Sequence, residues 1–176
     1  MAKYFALIMS LCLLSSCSLL GSDEPEPIIL SLSIQSSVHI NPSQISTANP
    51  LVLNVYQLKT IDTFKSAQSL DLYQKDLTLL AESLIHKQTL ATILPNTQKQ
   101  VSLTILPGTK FIAVFAQFAN YAQAKSKTWL DISKLKEDKT ISISIDSLTV
   151  NIISTEQSSF WSKLAFCHTF SSACFF

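Results

Sequence analysis

From Leu30 to Ile40 the chain alternates with a period of two. Leu30, Leu32, Ile34, Ser36, Val38 and Ile40 fall on one side, and Ser31, Ser33, Gln35, Ser37 and His39 on the other. Side chains along a strand point to opposite faces in turn, so this pattern predicts a half-buried strand and excludes a helix. The same period returns at Leu51–Leu58, at Val101, Leu103 and Ile105, at Ile141, Ile143 and Ile145, and at Leu148, Val150 and Ile152. Leu84–Thr92 reads as a further strand. Phe111–Phe118 (FIAVFAQF) is almost wholly apolar and reads as a central strand, covered on both faces. Asn41–Pro50 has no period and carries two Asn-Pro pairs, which makes it a loop. Pro95-Asn96, Pro107-Gly108 and Asp146-Ser147 are turn signals. One stretch breaks the pattern. Phe64, Ala67, Leu70 and Tyr73 recur every three residues, which fits a short helical stripe or two broken turns, and Lys75–Ser83 continues with helix formers, so a short helical insertion is expected there. About eight short strands separated by turns predict a mainly β, two-sheet sandwich.

The N-terminal segment says where such a sandwich works. MAKYFALIMSLCLLSSC opens with Lys3 and an apolar run from Phe5 to Leu14, the form of a secretory signal. As a helix the run would reach about 15 Å, half of the roughly 30 Å hydrocarbon core. Leu14-Ser15-Ser16-Cys17 resembles the lipobox of bacterial lipoproteins. That resemblance implies cleavage before Cys17 and acylation of its thiol. Cys12 is a poorer candidate, because the bulky Leu11 precedes it. Two or three acyl chains hold a protein stably, each buried methylene contributing about 0.8 kcal/mol. Ser18 after the cysteine resembles an outer-membrane address. Residues 1–16 are therefore expected to be a signal peptide. Residues 17–27 are expected to be a tether, acidic and stiffened by proline at Asp23-Glu24-Pro25-Glu26-Pro27.

Charge and composition exclude several functions. Losing Lys3 from 13 basic residues makes them equal in number to the 12 acids, and every basic residue is a lysine. There is no basic field for nucleic acid and no arginine fork for phosphate. The two glycines, Gly21 and Gly108, form no phosphate-binding loop. His39, His86 and His168 are scattered, and neither a G-x-S-x-G elbow nor an H-E-x-x-H pair occurs, so no enzyme chemistry is expected. No metal site or cofactor is expected beyond the covalent lipid on Cys17. Cys167 and Cys174 stand close in sequence. In an oxidising periplasm they either form a disulfide or remain two unpaired thiols.

Several stretches together resemble one family. They are Asn41-Pro42 with Pro50 downstream, LVLNVYQLK (51–59), DTFKSAQSLDLYQKD (62–76), Leu80-Ala81-Glu82, LPN (94–96), KFIAVFAQF (110–118) and Trp129. Their order and spacing look like TssJ, the outer-membrane lipoprotein of the type VI secretion system, over roughly residues 1–153. VYQLK followed by Phe64 and Ala67 is the most specific part. The departures are SQISTAN where the family's loop often carries glycine, Pro95-Asn96 where it has Pro-Gly, and Trp129-Leu130 where it has Trp-Arg. The resemblance implies a transthyretin-like sandwich with a small helical addition, covering residues 28–153. It implies a structural task, tethering the periplasmic part of the inner-membrane protein TssM to the outer membrane. It places the grip on the loop between the first two strands, here Asn41, Pro42, Ser43, Gln44, Ile45, Ser46, Thr47, Ala48, Asn49 and Pro50.

Other readings stay open on sequence alone. Ile45 either offers an apolar contact to a partner or folds back onto the sandwich. Trp129 is either core or a partner anchor. Phe64, Tyr73, Phe111, Phe115 and Phe118 are expected in the core. A carrier of a small apolar ligand inside the sandwich is the alternative to a tether. Residues 154–176, including FWSKLAFCHTFSSACFF, match nothing in the family pattern.

Overall fold

In the computed structural model, which describes residues 28–133, 135 and 139–156, two four-stranded sheets pack face to face. The strands are β1 (Ile28–Ser36), β2 (Leu51–Leu58), β3 (Leu84–Ile93), β4 (Gln98–Ile105), β5 (Phe111–Ala116), β6 (Lys127–Asp131), β7 (Lys139–Asp146) and β8 (Thr149–Glu156). One sheet runs β4-β1-β7-β8 and the other β3-β2-β5-β6. All pairings are antiparallel except β1 with β7, where Leu32 lies opposite Ile141. Two helices, α1 (Asp62–Ser66) and α2 (Ser69–Leu80), connect β2 to β3. The expected sandwich with one helical insertion is what the chain forms.

The alternating residues make the inter-sheet core. Leu32, Ile34, Leu103, Ile141, Ile143, Ile145 and Val150 from one sheet meet Leu53, Val55, Ile112 and Val114 from the other, all buried. A second core lies on the far side of the β2-β5 sheet, where Tyr56, Leu58, Ala113 and Phe115 pack against Ile61, Phe64, Leu72 and Leu80. The molecule thus has three layers: sheet, sheet, helices. The middle sheet is covered on both faces, which is why β5 reads as an unbroken apolar run. Complete burial of Phe64 or Leu72 contributes about 2–3 kcal/mol each.

Three expectations need correction. The first strand stops at Ser36, and the chain turns at Val38 and His39, which leaves Val38 exposed. Ile40 is buried all the same, because the chain re-enters the end of the inter-sheet core there. Tyr73 is not core but 63% exposed, and Leu70 is exposed too. The buried face of α2 is Leu72, Asp76 and Leu80, at four-residue spacing, with a kink at Lys75. The β7–β8 turn is Ser147-Leu148, one residue later than expected, since Asp146 pairs with Thr149. The Pro95-Asn96 turn does use the left-handed region, with Asn96 at φ 54.

Double burial leaves β2 with polar groups that need partners. Gln57 faces the other sheet and makes three hydrogen bonds there. Its Nε2 donates to the Thr104 carbonyl at 2.8 Å, and its Oε1 accepts from Leu106 N–H and Thr109 Oγ1, both at 2.9 Å. Tyr56 faces the helices and donates its hydroxyl to Asp76 Oδ2 at 2.7 Å. Lys87 on β3 closes this group from above, 2.6 Å from the same oxygen. Burial, then the Asp76 carboxylate, push the Tyr56 hydroxyl's pKa far up, so it stays a donor. Burial alone would raise Asp76, but hydrogen bonds from Lys87 and Tyr56 outweigh it and hold the carboxyl below its ordinary value.

This double burial makes two predictions for stability. Gln57→Leu removes a buried amide together with its hydrogen bonds to the part-buried Thr104 carbonyl and Leu106 N–H, and should cost about 1–2 kcal/mol in urea unfolding. Asp76 binds its proton less readily folded than unfolded. Its contribution is complete above the unfolded value of about 4 and is lost as pH falls through the lower folded value. Unfolding free energy should therefore decline on acidification below about pH 5, and Asp76→Asn should flatten that part of the profile while lowering stability at pH 7.

Candidate functional site

Four connections gather at one end of the sandwich: 37–50, 94–97, 117–126 and the Ser147-Leu148 turn. The expected partner loop is the longest segment among them that forms no helix or strand. Its base is built on Asn41, which sits at φ 51 and is buried. Asparagine tolerates that left-handed conformation better than most residues. The Asn41 N–H donates to the Ser147 carbonyl at 2.8 Å. Its Nδ2 donates to the Pro50 carbonyl at 2.9 Å, and its Oδ1 accepts from Ala119 N–H at 2.8 Å. Asn49 Nδ2 in turn donates to the Asn41 carbonyl at 2.8 Å, and Asn49 N–H to the Ile40 carbonyl at 3.0 Å. One residue thus ties the end of β1, the start of β2, the β5–β6 connection and the β7–β8 turn.

Above this base the loop is closed on itself. Ser43 N–H donates to the Ser46 carbonyl at 2.8 Å, and Ser46 Oγ to the Ala48 carbonyl at 2.8 Å. Ser43, Gln44, Ile45 and Thr47 are exposed, and Ile45 is 97% exposed. That sets aside the reading in which Ile45 folds back onto the sandwich. The ten expected residues therefore divide. Asn41 and Asn49 hold the loop, Pro42, Ser46, Ala48 and Pro50 shape it, and Ser43, Gln44, Ile45 and Thr47 present its surface. None of the ten carries a charge.

Two concavities flank the base. One, of about 680 Å³, lies between Pro42, Ser43 and Gln44 and the residues Asn120, Gln123 and Leu148. The other, of about 400 Å³, is lined by Leu70, Tyr73, Phe118 and Tyr121 beside Asn41. Its two tyrosines are exposed. Neither concavity is visible in the sequence. The three-residue stripe points Tyr73 into the core, and nothing local marks Tyr121. Both concavities lie at the loop end of the sandwich, while in the interior buried apolar side chains from the two sheets face one another.

Other expected residues fall elsewhere. Trp129 is 40% exposed on β6, with the Lys65 ammonium 5.2 Å from its ring centre, and belongs to neither core. On the same face Lys127 caps α1, donating to the carbonyls of Phe64 at 3.2 Å and Lys65 at 2.8 Å, and also to that of Ala67. Burial lowers the pKa of this ammonium. Phe64, Phe115 and Phe118 are buried as expected, and Phe111 is partly so. His39 and His86 lie apart in the fold, on the β1–β2 loop and on β3. Cys17, Cys167 and Cys174 lie outside the described residues, as does His168.

A two-sheet scaffold that fixes an uncharged loop at one end, with an apolar side chain at its tip, belongs to the class of β-sandwich proteins. The particular family is shown by sequence. Residues 29–148 match the type VI secretion lipoprotein family, whose members include VasD, EvfM and TssJ, and the chain belongs to it. The fold agrees with solved structures. The lipoprotein TssJ1 from Pseudomonas aeruginosa is 19% identical, with a TM-score of 0.68 over 74% of this chain and 98% of that one. Lip from Serratia marcescens, a membrane-bound component of the type VI secretion system, is 14% identical, with a TM-score of 0.63 over 71% and 96%. A chain in a structure of the TssM C-terminal domain from EAEC is 22% identical, with a TM-score of 0.60 over 71% and 97%. Among curated proteins no relative matches.

The base of the loop yields a stability test. Asn41→Ala removes two side-chain hydrogen bonds and leaves at φ 51 a residue that tolerates the left-handed region less well than asparagine, and should cost about 3–4 kcal/mol in urea unfolding. Asn41→Gly loses the same bonds without that strain and should cost roughly 1 kcal/mol less.

Proposed function

We propose that this chain is the lipid-anchored outer-membrane tether of a type VI secretion complex. Cys17 carries the acyl chains, the sandwich faces the periplasm, and the 41–50 loop grips the periplasmic part of a TssM-like inner-membrane protein. The observation that carries the proposal is Ile45, an almost fully exposed isoleucine on a loop whose base is locked by Asn41 and Asn49. Water disfavours such a side chain, and burying it in a partner would return about 2–3 kcal/mol. The locked base lowers the ordering cost of binding. The absence of charge in the loop means that shape and short-range contacts, not long-range steering, select the partner.

The placement of the two ends supports the same reading. β1 starts at Ile28 and delivers the chain to the loop, over nine residues or roughly 30 Å. The segment joining Ile28 to Cys17 can span up to roughly 33 Å when extended. The loop is thus carried away from the bilayer, towards a partner anchored across the periplasm. Membrane attachment and tether also raise the effective concentration of loop and partner for one another.

The alternative of a carrier for a small apolar ligand needs room between the sheets, where buried apolar side chains from both sheets face one another.

Calorimetric titration of residues 18–176 against the periplasmic part of the TssM-like protein from the same genome tests the proposal. Binding in the micromolar range is expected. Ile45→Ser should weaken it roughly tenfold or more with no change in unfolding free energy. No binding by a folded chain would overturn the tether.

A further inference from the structure

Charge is unevenly placed among the described residues. Residues 37–50, 94–97, 117–124 and 147–148 connect the strands at the loop end, and none of them is Asp, Glu, Lys or Arg. The connections at the opposite end carry Lys59, Glu82 and Lys110. Exposed apolar side chains gather where charge is missing. Besides Ile45, the loop end exposes Val38, Leu94 and Tyr121 from its connections, and Leu70 and Tyr73 from the first turns of α2. Asp71 on the same turns is paired with Lys75 at 3.0 Å and lines neither concavity.

The concavity of about 400 Å³ lies where these features meet. Leu70 and Tyr73 come to it from α2, and Phe118 and Tyr121 from the β5–β6 connection, beside Asn41. No residue that lines it is charged. Its wall is fixed to the base of the loop, because Asn41 Oδ1 accepts from Ala119 N–H and Phe118 is buried. Asn41 therefore holds the loop on one side and this wall on the other.

We propose that this concavity is the second half of the partner grip, and that it receives an uncharged apolar side chain of the same TssM-like protein that takes Ile45. The inference rests on the tether reading for the identity of that protein. Charge selects the occupant. An acidic or basic group pressed against this end would lose its water and find no opposite charge. A leucine, methionine or phenylalanine would pay no such cost, and would cover tyrosine rings that water now reaches. Tyrosine suits the task, since it offers a large contact area with few torsions to fix. Apolar side chains exposed together, as they are at this end, mark a contact with another protein. The consequence is orientation. A grip through Ile45 alone would let the partner swivel about one side chain. A second contact on the same hydrogen-bonded base fixes its direction.

Residues 18–176 retain three tyrosines, Tyr56, Tyr73 and Tyr121, of which Tyr56 is buried. The test is calorimetric titration of this chain against the periplasmic part of the TssM-like protein, together with nitration by tetranitromethane read by mass spectrometry. Tyr73→Ser and Tyr121→Ser should each weaken binding about tenfold with unchanged urea unfolding. Leu77→Ser, at a residue exposed on the same helix but outside the concavity, should leave binding as it is. Tyr73 and Tyr121 should be nitrated in the chain alone and protected in the complex. Serine variants that bind like the unmodified chain would overturn the inference, and so would nitration indifferent to the partner. A dimer of the chain alone in sedimentation velocity, lost in both serine variants, would overturn it too, because a second copy would then be the occupant. In each of these cases binding that still depends on Ile45 leaves the tether standing. Absence of binding by the folded, unmodified chain would instead remove the tether, and this inference with it.

Discussion

The structure depends on β2 being buried from both sides. A strand in that position cannot leave a polar side chain unpaired, because water reaches neither face. Gln57 meets this constraint by bonding across the sandwich to Thr104, Leu106 and Thr109. Tyr56 meets it by bonding to Asp76 on α2. Two neighbouring residues thus fasten the middle sheet to the layers above and below. This gives physical meaning to the tetrapeptide Val55-Tyr56-Gln57-Leu58. Its apolar members fill one core each, and its polar members lock the layers in register. A sandwich packed by apolar residues alone would tolerate sliding between layers, and these directional bonds do not.

Strand positions were legible because strict alternation admits one backbone answer. The β5 run was legible for the opposite reason, its lack of alternation marking double coverage. The helical face was not. Phe64, Ala67, Leu70 and Tyr73 imitate a stripe, but they straddle two helices and the break between α1 and α2, so no common face exists. The true face includes Asp76, which any apolar pattern discounts. Its burial is explained by Tyr56 and Lys87, residues distant in sequence. Val38 failed in the same way. Alternation continued past the end of the strand, and only the hydrogen bonds of the turn showed that it had ended.

The loop was legible as a loop, from its two Asn-Pro pairs and the loss of period. Which of its residues hold it and which present it was not. Asn41 looks like a turn former in sequence, yet its decisive partners, Ala119 and Ser147, come from connections far along the chain. The exposure of Ile45 comes from that fixation. With the base tied at Asn41 and Asn49 and Ser43 bonded to Ser46, the backbone between them has no way to fold its tip inward over Ile40, which already seals the core.

A tether in the proposed role would carry load, and the topology would suit that. Tension between the anchor and the partner loop would enter at Ile28 and leave beyond Ser36, along the axis of β1. That strand is interior to its sheet, bonded to β4 on one side and β7 on the other. Inter-strand hydrogen bonds lie across the strand direction, so a pull along β1 loads both rows together in shear, and none can open before its neighbours. Had the loop and the anchor been joined through β8, an edge strand, half of that resistance would be missing. At the far end of the load path stands Asn41, which passes the tension sideways into β2, the β5–β6 connection and the β7–β8 turn. The residue that shapes the loop is therefore also the one that spreads the force over both sheets.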